Sequence, residues 1–158
     1  PNSKFYGFDN HGPSIEQAKV QARKEGITGN IEFSSVSAND ESIGNDYDLI
    51  TFFDCLHDMG DPLAAMKFAK KSLKPDGTCM IIEPMANDKV EENLNVVGRT
   101  YYAASTLVCV PNSLADNGPA LGAQAGEKKI KEISEASGFT KFRRATQTPF
   151  NIIYEAKP

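Results

Sequence analysis

The sequence of 158 residues has no tryptophan, only two histidines and only three cysteines, and its 17 Lys and Arg are outnumbered by 21 Asp and Glu. Each shortage excludes something. A net charge of −4 disfavours a nucleic-acid or anionic-membrane partner, because phosphate surfaces are bound by clustered cations that release counterions. The pairs Lys70-Lys71, Lys128-Lys129 and Arg143-Arg144 are too small for that and read as solvated faces. Cys55, Cys79 and Cys109 are an odd number without ligand spacing, and Cys55 and Cys79 lie in apolar runs, where free cysteine acts as a small hydrophobe. Free thiols, a reducing cytoplasmic setting and no bound metal are the expectation. No apolar run reaches the ~18 residues of a membrane span, and no secretory signal pattern is present.

What is present is an alternation of strand and helix patterns over one domain, residues 1–158. A chain of roughly this length can bury about 70% of its unfolded surface, enough for a core without disulfides or metal. Lys4 to Asp9 reads as a strand that begins almost at once after Pro1, with no initiating methionine; this predicts a preceding segment in the complete gene product. Asn10-His11-Gly12 leads into a helix with Pro13 in its first turn and Gly26 at its end. Asn30 to Val36 is the next strand, and the apolar run Tyr47 to Phe53 predicts a strand buried on both faces.

Asp61-Pro62 reads as an N-cap with proline after it, and Leu63, Met66, Ala69 and Leu73 give that helix one apolar stripe. Pro75-Asp76-Gly77 predicts a turn whose glycine supplies positive φ, before a buried strand from Thr78 to Glu83. Asn87 to Ala125 predicts an irregular insertion with one or two helices. Glu127 to Ser137 is an amphipathic helix stopped by Gly138, followed by strands Phe139 to Ala145 and Phe150 to Ala156. Their four-residue link is too short for a parallel crossover, so the two should be antiparallel. The sum is a Rossmann-like three-layer α/β/α sandwich, mostly parallel, with an antiparallel C-terminal pair.

Several residues stand where such folds do chemistry. Asp9 ends a strand, where an acid can accept ribose hydroxyls, and equally where a turn aspartate caps the next helix. His11 in the same tip either touches a cofactor or is an exposed loop histidine. In Phe52-Phe53-Asp54-Cys55-Leu56-His57-Asp58, polar groups emerge from an apolar strand at the ligand-binding edge. His57, flanked by carboxylates, suits a general base; it also suits a histidine that only packs beside a cofactor. Glu83 ends the next strand and either faces an acceptor or caps the following helix. Tyr101, Tyr102 and Ser105 line an acceptor pocket or pack in the core. There is no nucleophile elbow, and His11 and His57 lack zinc-ligand spacing.

The ordered series Gly7-Phe8-Asp9, Tyr47-Asp48-Leu49-Ile50, Leu56-His57 with Asp61-Pro62, Leu73 to Gly77, and Gly138-Phe139 resembles the class I S-adenosylmethionine-dependent methyltransferases. The strings Phe53 to Pro62 and Leu121 to Glu127 resemble a bacterial subfamily in which a winged-helix amino-terminal domain, often dimerising, precedes the methyltransferase domain. The resemblance implies S-adenosylmethionine as cofactor, a small-molecule methyl acceptor, and a homodimer formed through an amino-terminal domain absent from this chain. By position it implies that Asp9 binds the ribose with His11 close by. Ser37 and Ala38 would meet the adenine, and Phe53 and Asp54 would border the methionine moiety. His57 would lie at the mouth of the acceptor site, which residues 87–125 would shape; His57 and Glu83 are the candidate catalytic residues of the reading above. One part of the family pattern is missing: no first strand with a glycine-rich loop precedes Lys4. That strand would lie between those of Asp9 and Phe53, so either the chain is a fragment or those two strands pair directly. A noncatalytic module that retains the fold is the alternative function.

Overall fold

The computed structural model describes residues 2–27, 29–38 and 40–158, which fall into two units, one up to Gly44 and one from Asn45 onward. Thr28, within the Gly26 to Gly29 stretch, lies outside the described residues.

In the first unit β1 (Phe5–Asp9) and β2 (Ile31–Ser35) pair in parallel, Asp9 opposite Ser35, joined through α1 (Gly12–Lys24). The helix starts where expected. Pro13 occupies its first turn, where a missing N–H costs nothing, and Arg23 and Lys24 complement the dipole at its end. Ile15 is the buried apolar residue of this unit among those described.

The second unit holds a four-stranded sheet of β3 (Tyr47–Phe53), β4 (Leu73–Pro84), β5 (Lys141–Gln147) and β6 (Asn151–Lys157) in the order β3-β4-β6-β5. β3 and β4 are parallel, and β6 runs antiparallel to both its neighbours. The short link does force the reversal expected of it. In the first unit β1 pairs with β2, and in the second β3 pairs with β4.

Period-two alternation builds the core. Cys79, Ile81 and Glu83 of β4 are buried, opposite buried Ala156, Tyr154 and Ile152 of β6. Burying each large apolar side chain of that ladder contributes about 1.5–3 kcal/mol, so Glu83 occupies a position worth keeping apolar. The helices α2 (Pro62–Ser72) and α5 (Gly126–Ala136) pack on each other and on β4 and β5. Asp61 Oδ1 caps α2 by accepting from Ala64 N at 2.8 Å. None of the helices among the described residues is long and apolar enough to cross a membrane.

Three expectations need correction. β3 is not buried on both faces: it is an edge strand, Leu49 and Phe53 are exposed, and only Phe52 is buried. The buried side of α2 is Ala65, Met66, Ala69 and Ser72; Leu63 is only half-buried and Leu73 already belongs to β4. Pro75 to Gly77 lies inside a bulged β4, whose register jumps from Leu73 opposite Tyr47 to Thr78 opposite Leu49. Gly77 is not among the positive-φ residues. It is needed for close approach, since a Cβ there would stand 3.0 Å from the Tyr47 carbonyl and 2.9 Å from Leu73 Cδ2. The one or two helices expected within residues 87–125 are present. α3 (Val96–Ala104), a π-helical segment Ser105–Cys109 and α4 (Val110–Ala115) form one continuous rod. Pro111 can donate no hydrogen bond and its ring crowds the carbonyl of Leu107, and the wider π turn lies just before it, closed by Val110 N to Ser105 O.

Candidate active site at the carboxyl edge of β3 and β4

β3 ends at Phe53, and the chain turns sharply at Asp54, whose φ of 47° is left-handed. Asn151 Nδ2 donates to Asp54 Oδ1 at 3.0 Å, and Asp54 N reaches Ile82 O at 2.9 Å, so the strained residue is held from two strands. The 3₁₀ turn Leu56–Asp58 then folds His57 inward, beneath fully buried Leu56. There His57 Nδ1 meets Glu83 Oε2 at 2.6 Å, with the two side chains 3% and 5% exposed.

This contact offsets part of the cost of a carboxylate in an apolar ladder: Oε2 meets His57, while the buried Oε1 has no partner among the described residues and burial raises the carboxyl above its usual range. A buried charge is tolerated only when paired and hydrogen-bonded. Burial alone would depress the imidazole, but the bond and negative charge of Glu83, with Asp58 and Asp54 nearby, hold His57 above the ordinary histidine range. With Nδ1–H given to Glu83, Nε2 is the ring nitrogen left to accept a proton. Burial pushes the Cys55 and Cys79 thiols up to about 12, which makes both inert packing groups, as their apolar settings suggest.

The turn is clamped from the helical rod and from Gly122 in the segment after it. Asn112 Nδ2 donates to Asp58 O at 3.2 Å, Ser113 Oγ to Met59 O at 2.9 Å, and Gly122 N to His57 O at 3.2 Å. Ser105 is structural: it is buried, and its Oγ accepts from Ala123 N. Tyr101 is half-buried and donates its hydroxyl to Phe150 O at 2.8 Å, and Tyr102 is half-buried too, so neither belongs to the core. A surface recess of about 580 Å³ beside Gly60, Pro62 and Asn117 includes neither His57 nor Glu83 in its lining.

Asp9, His11, Ser37 and Ala38 belong to the first unit, and Phe53 directly precedes Asp54. Asp9 ends β1 in an exposed position, with Oδ1 accepting from His11 N at 2.7 Å. His11 is exposed, its Nδ1 2.9 Å from Ser14 Oγ. Ser37 is exposed and Ala38 half-buried just beyond β2, and Phe53 is 66% exposed. The structure thus joins His57 to Glu83 and fixes Asp54 beside them. Sequence reading missed Asn151 and Cys109, which stand 97 and 52 residues from Asp54 and His57 in the chain. No local pattern marks either one.

A Rossmann-like α/β fold with polar groups gathered at the carboxyl ends of parallel strands defines the class. The model of the methyltransferase-domain family matches residues 1–138, and the chain belongs to that family. No curated protein matches the chain. Among solved structures it is similar to a Nostoc punctiforme protein provisionally named an O-methyltransferase, at 20% identity and a TM-score of 0.75, covering 100% of this chain and 46% of that one. An O-methyltransferase family protein from Burkholderia thailandensis follows at 15% identity and 0.72, covering 98% and 43%. The S-adenosylmethionine-dependent methyltransferase SibL in its apo form is similar at 16% identity and 0.68, again covering 98% and 43%. At these identities the likeness is one of fold, and the chain spans less than half the length of each of these proteins.

Proposed function

We propose that this chain is the catalytic part of an S-adenosylmethionine-dependent methyltransferase that acts on a small molecule, with His57 as general base and Glu83 as its positioning partner. The observation that carries this reading is the buried 2.6 Å contact between them at the ligand-binding edge. Two structural neighbours are named O-methyltransferases, which favours a hydroxyl acceptor, and the net charge of −4 favours a small molecule over nucleic acid.

The residues present fit part of the cofactor. Asp9 has one carboxylate oxygen outside its bond to His11 N, at the shared carboxyl edge of β1 and β2, and that chemistry suits a ribose diol. Ser37 and Ala38 follow β2 and would meet the adenine; Phe53 and Asp54 would border the methionine moiety. A glycine-rich loop is not in this sequence. When bound, S-adenosylmethionine supplies a sulfonium methyl open to in-line displacement. The chain's own work is alignment and proton removal. Holding an acceptor in line contributes up to about 7–11 kcal/mol. His57 Nε2 takes the hydroxyl proton, and Glu83, bonded to Nδ1–H, fixes the ring and stabilises the imidazolium, an effect of about 10²–10⁴-fold.

The test uses the full-length gene product, radiolabelled S-adenosylmethionine and a panel of phenols and alcohols. Label transfer to a hydroxyl supports the proposal. Tight S-adenosylhomocysteine binding in calorimetry with no transfer to any acceptor would favour a noncatalytic module.

A further inference from the structure

His57 and Asp58 sit in the 3₁₀ turn after β3, and Cys109 closes the π-helical segment more than fifty residues later. The fold brings one ligand atom of each, a ring nitrogen, a carboxylate oxygen and Sγ, within 4.8 Å of one another. Cys109 and His57 are buried and Asp58 half-buried. Both sides of the cluster are held by the bonds from Asn112, Ser113 and Gly122 described above, so its geometry does not depend on a flexible loop.

We propose that His57, Asp58 and Cys109 form a binding site for a borderline-soft divalent cation, with Zn²⁺ as the best fit. Nitrogen, sulfur and one carboxylate oxygen make a three-residue zinc donor set that leaves a fourth position open. Metal-bound histidines almost always give their other ring N–H to a carboxylate or carbonyl, and the Glu83 bond to His57 Nδ1 supplies that partner. It also leaves Nε2 for the metal. Zinc–ligand bonds of about 2.0–2.3 Å set tetrahedral donors roughly 3.5 Å apart, so closing from 4.8 Å takes only a small side-chain adjustment. The expectation of a metal-free chain came from linear spacing, which cannot register a ligand contributed by a distant helix.

A metal on Nε2 occupies the lone pair that a base uses, so metal binding and proton abstraction exclude each other. That consequence, unlike the site itself, rests on the proposed function. It makes Zn²⁺ an inhibitor of methyl transfer.

The decisive experiment titrates the metal-free full-length protein with Co²⁺ and then Zn²⁺. One equivalent of Co²⁺ should give a thiolate-to-cobalt charge-transfer band in the near ultraviolet, displaced by Zn²⁺. Cys109→Ser should abolish the band and weaken Zn²⁺ at least tenfold in a chelator competition. Asp58→Asn should weaken it similarly, and Glu83→Gln by roughly 10–100-fold. Cys55→Ser should change neither, and circular dichroism checks that each variant is folded. Absence of the band in the wild-type protein overturns the proposal. So does a band that survives Cys109→Ser, or one lost in Cys55→Ser instead. These readouts do not involve methyl transfer, so the site and the enzyme reading fail separately.

Discussion

The chain places a histidine near an acid twice, and the two neighbourhoods have little in common. At the end of β1, Asp9 and His11 are exposed, and each bonds within three residues of itself. At the end of β3 and β4, His57 and Glu83 are buried and bond to each other across 26 residues of sequence. The same chemical types serve a turn in one place and a buried pair in the other. What separates them is the sheet: Glu83 falls on the face of β4 that also carries Cys79 and Ile81, so its carboxylate must be paired inside the protein. Asp9 faces solvent and needs no partner. A coupled pair therefore arises where alternation buries an acid and a turn returns a histidine to it.

The sharpest way to break this comparison is to replace each histidine in turn. His57→Ala should lower kcat about 10²–10⁴-fold with S-adenosylhomocysteine affinity nearly unchanged, while His11→Ala should leave kcat within a few-fold. Steady-state kinetics and calorimetry read both, and an unchanged kcat in His57→Ala removes it as the base. Stability tests the acids. Glu83→Ala leaves His57 buried without its partner and should cost about 3–5 kcal/mol in urea unfolding. Asp9→Ala should barely move the midpoint, though it should weaken S-adenosylhomocysteine. Equal losses from the two would mean that burial does not distinguish them.

A smaller effect tests the rod that clamps the His57 turn. A Cβ at Gly98, in the first turn of α3, would overlap the Asn93 carbonyl. Asn93 is buried and ties Asn87 and Lys89 together through its amide. Gly98→Ala should therefore destabilise by about 1–3 kcal/mol and lower kcat through misplacement of the turn; a neutral substitution would uncouple the rod from the site. Smallest of all, Arg143→Ala removes an exposed pair with Glu155, 2.9 Å apart. No change in Tm beyond error is expected, in low or high salt, and a clear loss would show that surface pairing matters on this sheet.

Much of the fold was legible because it rests on local rules. Pro13, Asp61 and Pro62 mark helix starts, Gly138 a helix stop, and the short link before Asn151 allows only an antiparallel return. The misreadings arose where a local signal has two physical causes. An apolar run such as Tyr47 to Phe53 fits an edge strand as well as a central one, and Gly77 serves close approach rather than positive φ. The rod through residues 96–115 was obscured by Pro111 and by the glycines that follow it, Gly118 and Gly122, which disguise helical periodicity.

Sequence alone determined that the chain alternates strands and helices, that its last two strands are antiparallel, and which residues stand at strand ends. Those properties depend on neighbours a few positions apart. Only the tertiary structure decided that His57 meets Glu83, that Asn151 holds Asp54, and that Cys109 joins His57 and Asp58. Such contacts depend on register and helix placement summed over dozens of residues, and no local pattern encodes that sum.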